Sequence, residues 1–204
     1  MASDRWRWID ELESANGIAD LAAVRLSKRW AGALALGRIP SRWAYAVEWL
    51  PFEQEFDLRW FATALNATPA HARQVLGSYT EAGFCRFDRR GKTWCKVSRP
   101  RSPIDRVVAI EAKLRDWRRA LYQATRYLDY ANQSWVVLDG NALQNALLHI
   151  DEFSRRGIGL LAMRIDGQIE IASRSAMSAP RFPHRFWQMS AEIAKHLSMS
   201  VPAV

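Results

Sequence analysis

Apolar residues near the start of the chain recur at spacings compatible with a 3.6-residue period. Ile9, Leu12, Ile18, Leu21, Ala22, Val24, Leu26 and Trp30 predict a helical segment over residues 4–36, broken near Asn16-Gly17. Ser41 is a candidate N-cap for a helix to Leu50, stopped by Pro51. Asp57 can cap a short helix, 58–65. Thr68-Pro69 is an N-cap and first-turn pair opening a longer helix to Ala82, with Gly83 where a C′ glycine belongs. Residues 84–89 and 92–98 then read as two strands around Arg90-Gly91.

The second half alternates strand and helix patterns. Val107-Val108-Ala109-Ile110 is a β-branched run leading into Glu111, Ala112 and Lys113, and a helical pattern over 115–131 follows without a gap. Ser134–Leu138 reads as a short buried strand, 141–156 as an amphipathic helix, and 158–165 with 168–173 as a hairpin turned at Asp166-Gly167. A final helix is expected over 184–198. The pattern is that of an α+β or α/β protein with a helical N-terminal segment 1–40, a helix-and-hairpin domain 41–100 and a domain of strands and helices over 101–204. The rigid Pro100-Arg101-Ser102-Pro103 is the expected boundary.

Charge narrows the partners. The net charge is +8, from 29 Lys+Arg against 21 Asp+Glu. Such a balance favours nucleic acid before a membrane surface, and arginine forks match phosphate oxygens well. The start of the chain lacks an apolar signal core and no run approaches a membrane span, so a cytoplasmic protein is expected. The two cysteines, Cys85 and Cys95, are expected to be reduced thiols, and the four histidines are too dispersed for a metal site.

Short helix, turn, longer helix, glycine and basic hairpin together resemble a winged helix-turn-helix over residues 41–100. In that resemblance Pro69–Ala82 is the recognition helix and Arg89-Arg90-Gly91-Lys92 the wing tip. Arg73, Gln74, Ser78 and Tyr79 would then meet base edges and phosphates, and Arg89, Arg90 and Lys92 the phosphate backbone of double-stranded DNA.

The chemistry is expected at the end of the 106–114 strand. Glu111 and Lys113 are two apart and so project to one face; Gln123 and Tyr127 are four apart and share a helix face. An isolated Glu-x-Lys is also a common strand-end ion pair. Joined to the helix that follows and its Gln-x-x-x-Tyr, it resembles the PD-(D/E)XK nuclease superfamily, which includes restriction endonucleases, Holliday-junction resolvases and RecB-type nucleases. The resemblance covers residues 101–204 and implies a restriction-endonuclease-like mixed sheet flanked by helices. It implies that Glu111 binds Mg²⁺ or Mn²⁺, Lys113 orients the attacking water, Gln123 aligns the site, and Tyr127 touches DNA or the helix face.

A hard ion needs more than one carboxylate. The resemblance implies another acid from the preceding strand, for which the candidate is Asp105, but on one extended strand six steps of ~3.3 Å would hold it roughly 20 Å from Glu111. If strand 92–98 paired with 106–114 instead, Thr93 or Trp94 would face Glu111, leaving Asp88 and Glu81 as distant candidates. Three functions therefore stay open: a Mg²⁺-dependent DNA endonuclease, an inactive nuclease-like DNA-binding regulator, and an interaction module in a defence, transposition or repair complex. A homodimer through the tryptophan-rich N-terminal segment is a further expectation.

Overall fold

The computed structural model describes residues 5–14 and 17–200; the Asn16 half of the expected break lies outside them. In chain order the elements are β1 (Trp6–Ser14), β2 (Gly17–Leu26), a 3₁₀ stretch (Trp30–Arg38), α1 (Ala44–Trp49), β3 (Glu55–Asp57), α2 (Leu58–Ala64) and α3 (Pro69–Glu81). They continue with β4 (Cys85–Asp88), β5 (Thr93–Lys96), β6 (Ile104–Lys113), α4 (Trp117–Tyr127), β7 (Gln133–Asp139), α5 (Leu143–Leu147), α6 (Ile150–Arg156), β8 (Gly159–Met163), β9 (Ile169–Ser173) and α7 (Pro183–Ser200). No helix among the described residues is long and apolar enough to cross a membrane.

The chain forms two compact units, each drawn from two separate stretches. One takes the chain up to Leu26 together with Ile104–Phe186, and the other takes Ser27–Pro103 together with Trp187 onwards. The chain passes between them at Leu26–Ser27, within the expected 1–40 segment, at Pro103–Ile104, in the proline connector, and at Phe186–Trp187.

The larger unit is built on a mixed six-stranded sheet in the order β1-β2-β6-β7-β8-β9. β1, β2 and β6 are antiparallel neighbours, β6, β7 and β8 are parallel, and β9 closes the sheet antiparallel to β8. One face carries the core. Trp117, Ala120, Leu121 and Ala124 of α4 pack with Val136, Leu138, Leu160 and Phe153.

The expected N-terminal helix is a β-hairpin. Glu11 takes a left-handed φ of 50°, and the ladder skips from Asp10↔Leu21 to Leu12↔Ala19. Ile9 and Leu12, three apart, are therefore both buried, which imitates a helical stripe. Ala22, Ala23 and Val24 are buried in succession because the small Ala23, on the face away from α4, sits between its register partners Trp8 and Val108, so the alternation disappears there too. The expected 141–156 helix is likewise divided, into a 3₁₀ turn (Gly140–Ala142), α5 and α6, with His149 opening α6 at φ −123°.

In the smaller unit the expected Asp57, Thr68 and Gly83 caps form, whereas Ser41 does not cap: it opens a 3₁₀ turn (Ser41–Trp43), and α1 begins after Trp43 with no side-chain cap. The Asp57 carboxylate accepts from Trp60 N at 2.7 Å, the Thr68 hydroxyl accepts from His71 N at 3.3 Å, and Gly83 takes φ 79° after α3. β3, β5 and β4 make an antiparallel three-stranded sheet with β5 in the middle. Trp94 of β5 is registered with Phe56 and Phe87, so strand 92–98 does not pair with β6, and neither Thr93 nor Trp94 faces Glu111. Lys96 is buried, and its ammonium donates to the carbonyls of Glu48 (2.8 Å) and Leu50 (3.2 Å), pinning the hairpin to the end of α1. Cys85 and Cys95 are free thiols.

Candidate functional site

Glu111 is the one acidic side chain among the buried residues of the larger unit's sheet, with no exposed surface. It points to the α4 side, because it shares a register position with Val136, which packs under α4. One carboxylate oxygen, Oε2, lies 2.6 Å from the Tyr127 hydroxyl. That hydroxyl also reaches the Ile18 carbonyl at 2.6 Å, so its single proton is offered to two acceptors. The other oxygen, Oε1, has no hydrogen-bond donor aimed along a bond direction, but it meets the Lys113 ammonium at 2.5 Å. The contact is thus an ion contact.

A second carboxylate comes from β2. Asp20 Oδ2 lies 3.5 Å from the same Lys113 nitrogen and accepts from Ala112 N at 2.8 Å. The β2–β6 ladder ends at Leu21↔Ile110, one residue short of Asp20. Past that point the Asp20 side chain, instead of a backbone carbonyl, satisfies the free N–H of β6. The broken ladder between β1 and β2 falls at the same place, with Glu11 at positive φ. Backbone irregularity on both sides of Asp20 is what turns its carboxylate toward the end of β6.

Electrostatics follow from this arrangement. Burial pulls the Lys113 pKa downward, but the neighbouring carboxylates of Glu111 and Asp20 outweigh it and hold the ammonium above its usual value. The Tyr127 phenol is pushed well up, first by burial and then by its bond to Glu111. The Asp20 side chain keeps 45% of its surface, whereas Glu111 keeps none, so the notch is open from the Asp20 side. Gln123 sits one turn before Tyr127 on α4, half-buried, with an Oε1 that has no hydrogen-bond partner.

Other expected site residues lie elsewhere. Asp105 starts β6 and is held by Arg5 at 3.4 Å and Arg25 at 3.7 Å, at the opposite end of the strand from Glu111. It is not brought to the ion position expected of it. Tyr127 is fully buried, so it holds Glu111 and is not available to touch DNA. Asp88 is spent inside its own turn, where its carboxylate takes the N–H groups of Gly91 at 2.9 Å and Arg90 at 3.2 Å. Those bonds hold its pKa below the usual carboxylate range.

In the smaller unit, Arg73 and Gln74 are exposed on α3, and Arg89, Arg90 and Lys92 are exposed at the tip between β4 and β5. Ser78 is half-buried and its hydroxyl donates back to the Val75 carbonyl at 2.7 Å. Tyr79 is fully buried, donating to the Trp43 carbonyl at 2.7 Å, and so belongs to the core and not to a base-reading face. Val75, Leu76 and Tyr79 form one buried stripe, which the 3.6-residue period requires.

Asp20 is the site residue that sequence reasoning missed. Asn16-Gly17 between two runs of apolar residues is a recognised hairpin signal and would have placed an acid on a strand ahead of Glu-x-Lys. Nothing local shows that β2 lies beside β6, because residues 27–103 intervene.

The two carboxylates suit a hard divalent ion. Both are oxygen donors, and both already approach a single positive nitrogen. No cluster of three or more His, Cys, Asp or Glu able to hold a metal occurs among the described residues. No protein-family model, no curated protein and no solved structure matches the chain.

Proposed function

We propose that this chain is a Mg²⁺-dependent DNA nuclease. Its larger unit would be a nuclease-like domain of the PD-(D/E)XK type and its smaller unit a DNA-binding winged helix. The carrying observation is the convergence of Asp20 and Glu111 on Lys113 where β2 parts from β6. It supplies the second acid that a strand-end Glu-x-Lys needs. Asp20 and Glu111 would hold the ion, which supplies charge neutralisation at the scissile phosphate when bound.

The chain's own groups have separate tasks. Lys113, released from the carboxylates, faces the phosphate as a donor and a positive charge. Tyr127 fixes Glu111 so that only Oε1 faces the notch. Gln123 offers a buried carbonyl oxygen close to the Tyr127 turn, suited to holding a water. Hydrolysis adds a water oxygen to phosphorus, breaks one ester P–O bond and returns a proton to the departing alkoxide.

The net charge of +8 favours DNA as the partner. In the smaller unit, the order helix, strand, two helices and hairpin, with exposed Arg73 and Gln74 on α3 and a basic hairpin tip, supports the winged-helix reading. Arg89→Ala with Arg90→Ala is expected to weaken binding to all duplexes alike and to lower the slope of log affinity against log salt by about 2. Titrations at several salt concentrations measure this, and an unchanged slope removes the tip from the interface.

A second reading has its own support. Glu111 is fully buried and held by both Tyr127 and Lys113. A carboxylate so fully engaged suits a DNA-binding subunit that keeps the nuclease shape without its reaction. Incubation of plasmid, linear, branched and single-stranded DNA with Mg²⁺ or Mn²⁺ decides between them. Cleavage that chelation stops and that Glu111→Gln abolishes, with DNA binding retained, is the expected result. Intact DNA on all four substrates would establish the inactive reading.

A further inference from the structure

The six-stranded sheet has two faces, and α4 covers one of them. Residues registered with Ile110 rather than Glu111 point the other way: Val108, Ile110, Trp135, Val137 and Leu161 are half-buried there, and Trp8 is 64% exposed. The far edge continues the same character, with Met163, Ile169 and Ile171 between 48% and 59% exposed. A Cβ built on Gly159 would fall 2.1 Å from the Trp135 ring, so the indole lies flat over β8. The face is therefore smooth as well as apolar.

Its size matters. Six strands about 4.8 Å apart and five residues about 3.3 Å apart give a plan of roughly 25 by 17 Å. That is roughly 400 Å² before side-chain relief, the size of the largest apolar patch on a typical monomer, which is often a functional surface. With side-chain relief it moves toward the ~800 Å² per partner of a standard interface.

We propose that a second copy of this chain covers the face, sheet against sheet, in a two-fold dimer. Ile110 and Trp135 lie on the two middle strands of the six, so a two-fold axis near them lays the whole face on itself. Charge chooses the direction. Arg106 and Arg25 sit together at the end of the face where β6 begins, and Asp139 sits at the end where β7 finishes. Arg25 already has Asp105 at 3.7 Å, which leaves Arg106 as the charge presented. If the strands of the two copies run in opposite senses, Arg106 of each lies over the end carrying Asp139 of the other. If they run in the same sense, like charge meets like. The opposed orientation is the one that fits.

The experiment is the mass of the full chain in solution by sedimentation or light scattering, up to about 100 µM. A dimer is expected. Trp8→Glu and Val137→Glu should each weaken it by about 100-fold or more, with unchanged circular dichroism, since Trp8 is too exposed to hold the fold. Arg106→Glu should weaken the dimer, and Arg106→Glu with Asp139→Arg should restore it. A wild-type monomer overturns the proposal, as does a dimer that Trp8→Glu and Val137→Glu leave intact. Failure of the charge swap to restore association overturns the orientation. None of these outcomes depends on whether the chain cuts DNA.

Discussion

On the proposed nuclease reading, Asp20→Asn is expected to reduce Mg²⁺-dependent DNA cleavage by about 10³-fold, whereas Asp105→Ala changes it by less than about twofold. The contrast comes from geometry. Asp20 Oδ2 and Glu111 Oε1 approach the same Lys113 nitrogen, at 3.5 Å and 2.5 Å. Asp105 is at the other end of β6, engaged with Arg5 and Arg25. Asparagine keeps an oxygen able to accept from Ala112 N, so the strand junction survives while the charge is lost. Thermal melting should then fall by no more than a surface hydrogen bond is worth, about 1 kcal/mol. DNA affinity should hold or rise slightly, because one negative charge leaves the site. Single-turnover cleavage beside a binding titration separates the two effects. An Asp20→Asn protein that cuts as fast as the wild type means that the ion is not held there.

Much of the smaller unit was legible because its signals are local. Asp57, Thr68-Pro69 and Gly83 each act within four residues, and each does what its chemistry predicts. β6, α4, β7, the β8–β9 hairpin and α7 also fall close to where their periodicities put them. The N-terminal hairpin was illegible for a stated reason: Glu11 at positive φ and the unbroken buried run Ala22–Val24 of β2 remove the two-residue alternation that marks a strand. Asp20 was hidden by topology, since it meets Ala112 across 92 positions. Tyr79 and Tyr127 are different. Both lie in buried helical stripes that spacing alone could have placed, and the resemblance drew them outward against it.

Alkaline pH is expected to unfold both units before their exposed charges matter. Burial pushes the phenols of Tyr79 and Tyr127 far above their ordinary value near 10, and that of Tyr130 as well, and it pushes the Cys85 thiol from 9.0 up to about 12. Each group binds a proton more tightly folded than unfolded. Its contribution is therefore complete below its unfolded pKa and is lost as pH rises toward the folded one. For Cys85 the loss begins near pH 9, and for the tyrosines near pH 10. Each titrating group can remove about 1.4 kcal/mol per pH unit. Tyr79 and Cys85 act in the smaller unit, Tyr127 and Tyr130 in the larger. Lys96 opposes them, because burial lowers its pKa and the cost of its charge eases as pH rises, but it is a single group. With a few groups titrating together against a total stability of about 5–15 kcal/mol, unfolding should arrive within about two pH units above 10. Denaturant titrations at stepped pH, read by circular dichroism and by phenolate absorbance, test this. The Tyr127 share of the phenolate signal, taken as wild type minus Tyr127→Phe, should change together with the circular dichroism, and Tyr127→Phe should flatten the slope for the larger unit by about 1.4 kcal/mol per pH unit. If that Tyr127 share appears near pH 10 in a protein that remains folded, the Tyr127 hydroxyl is open to water, and its closed packing around Glu111 goes with it.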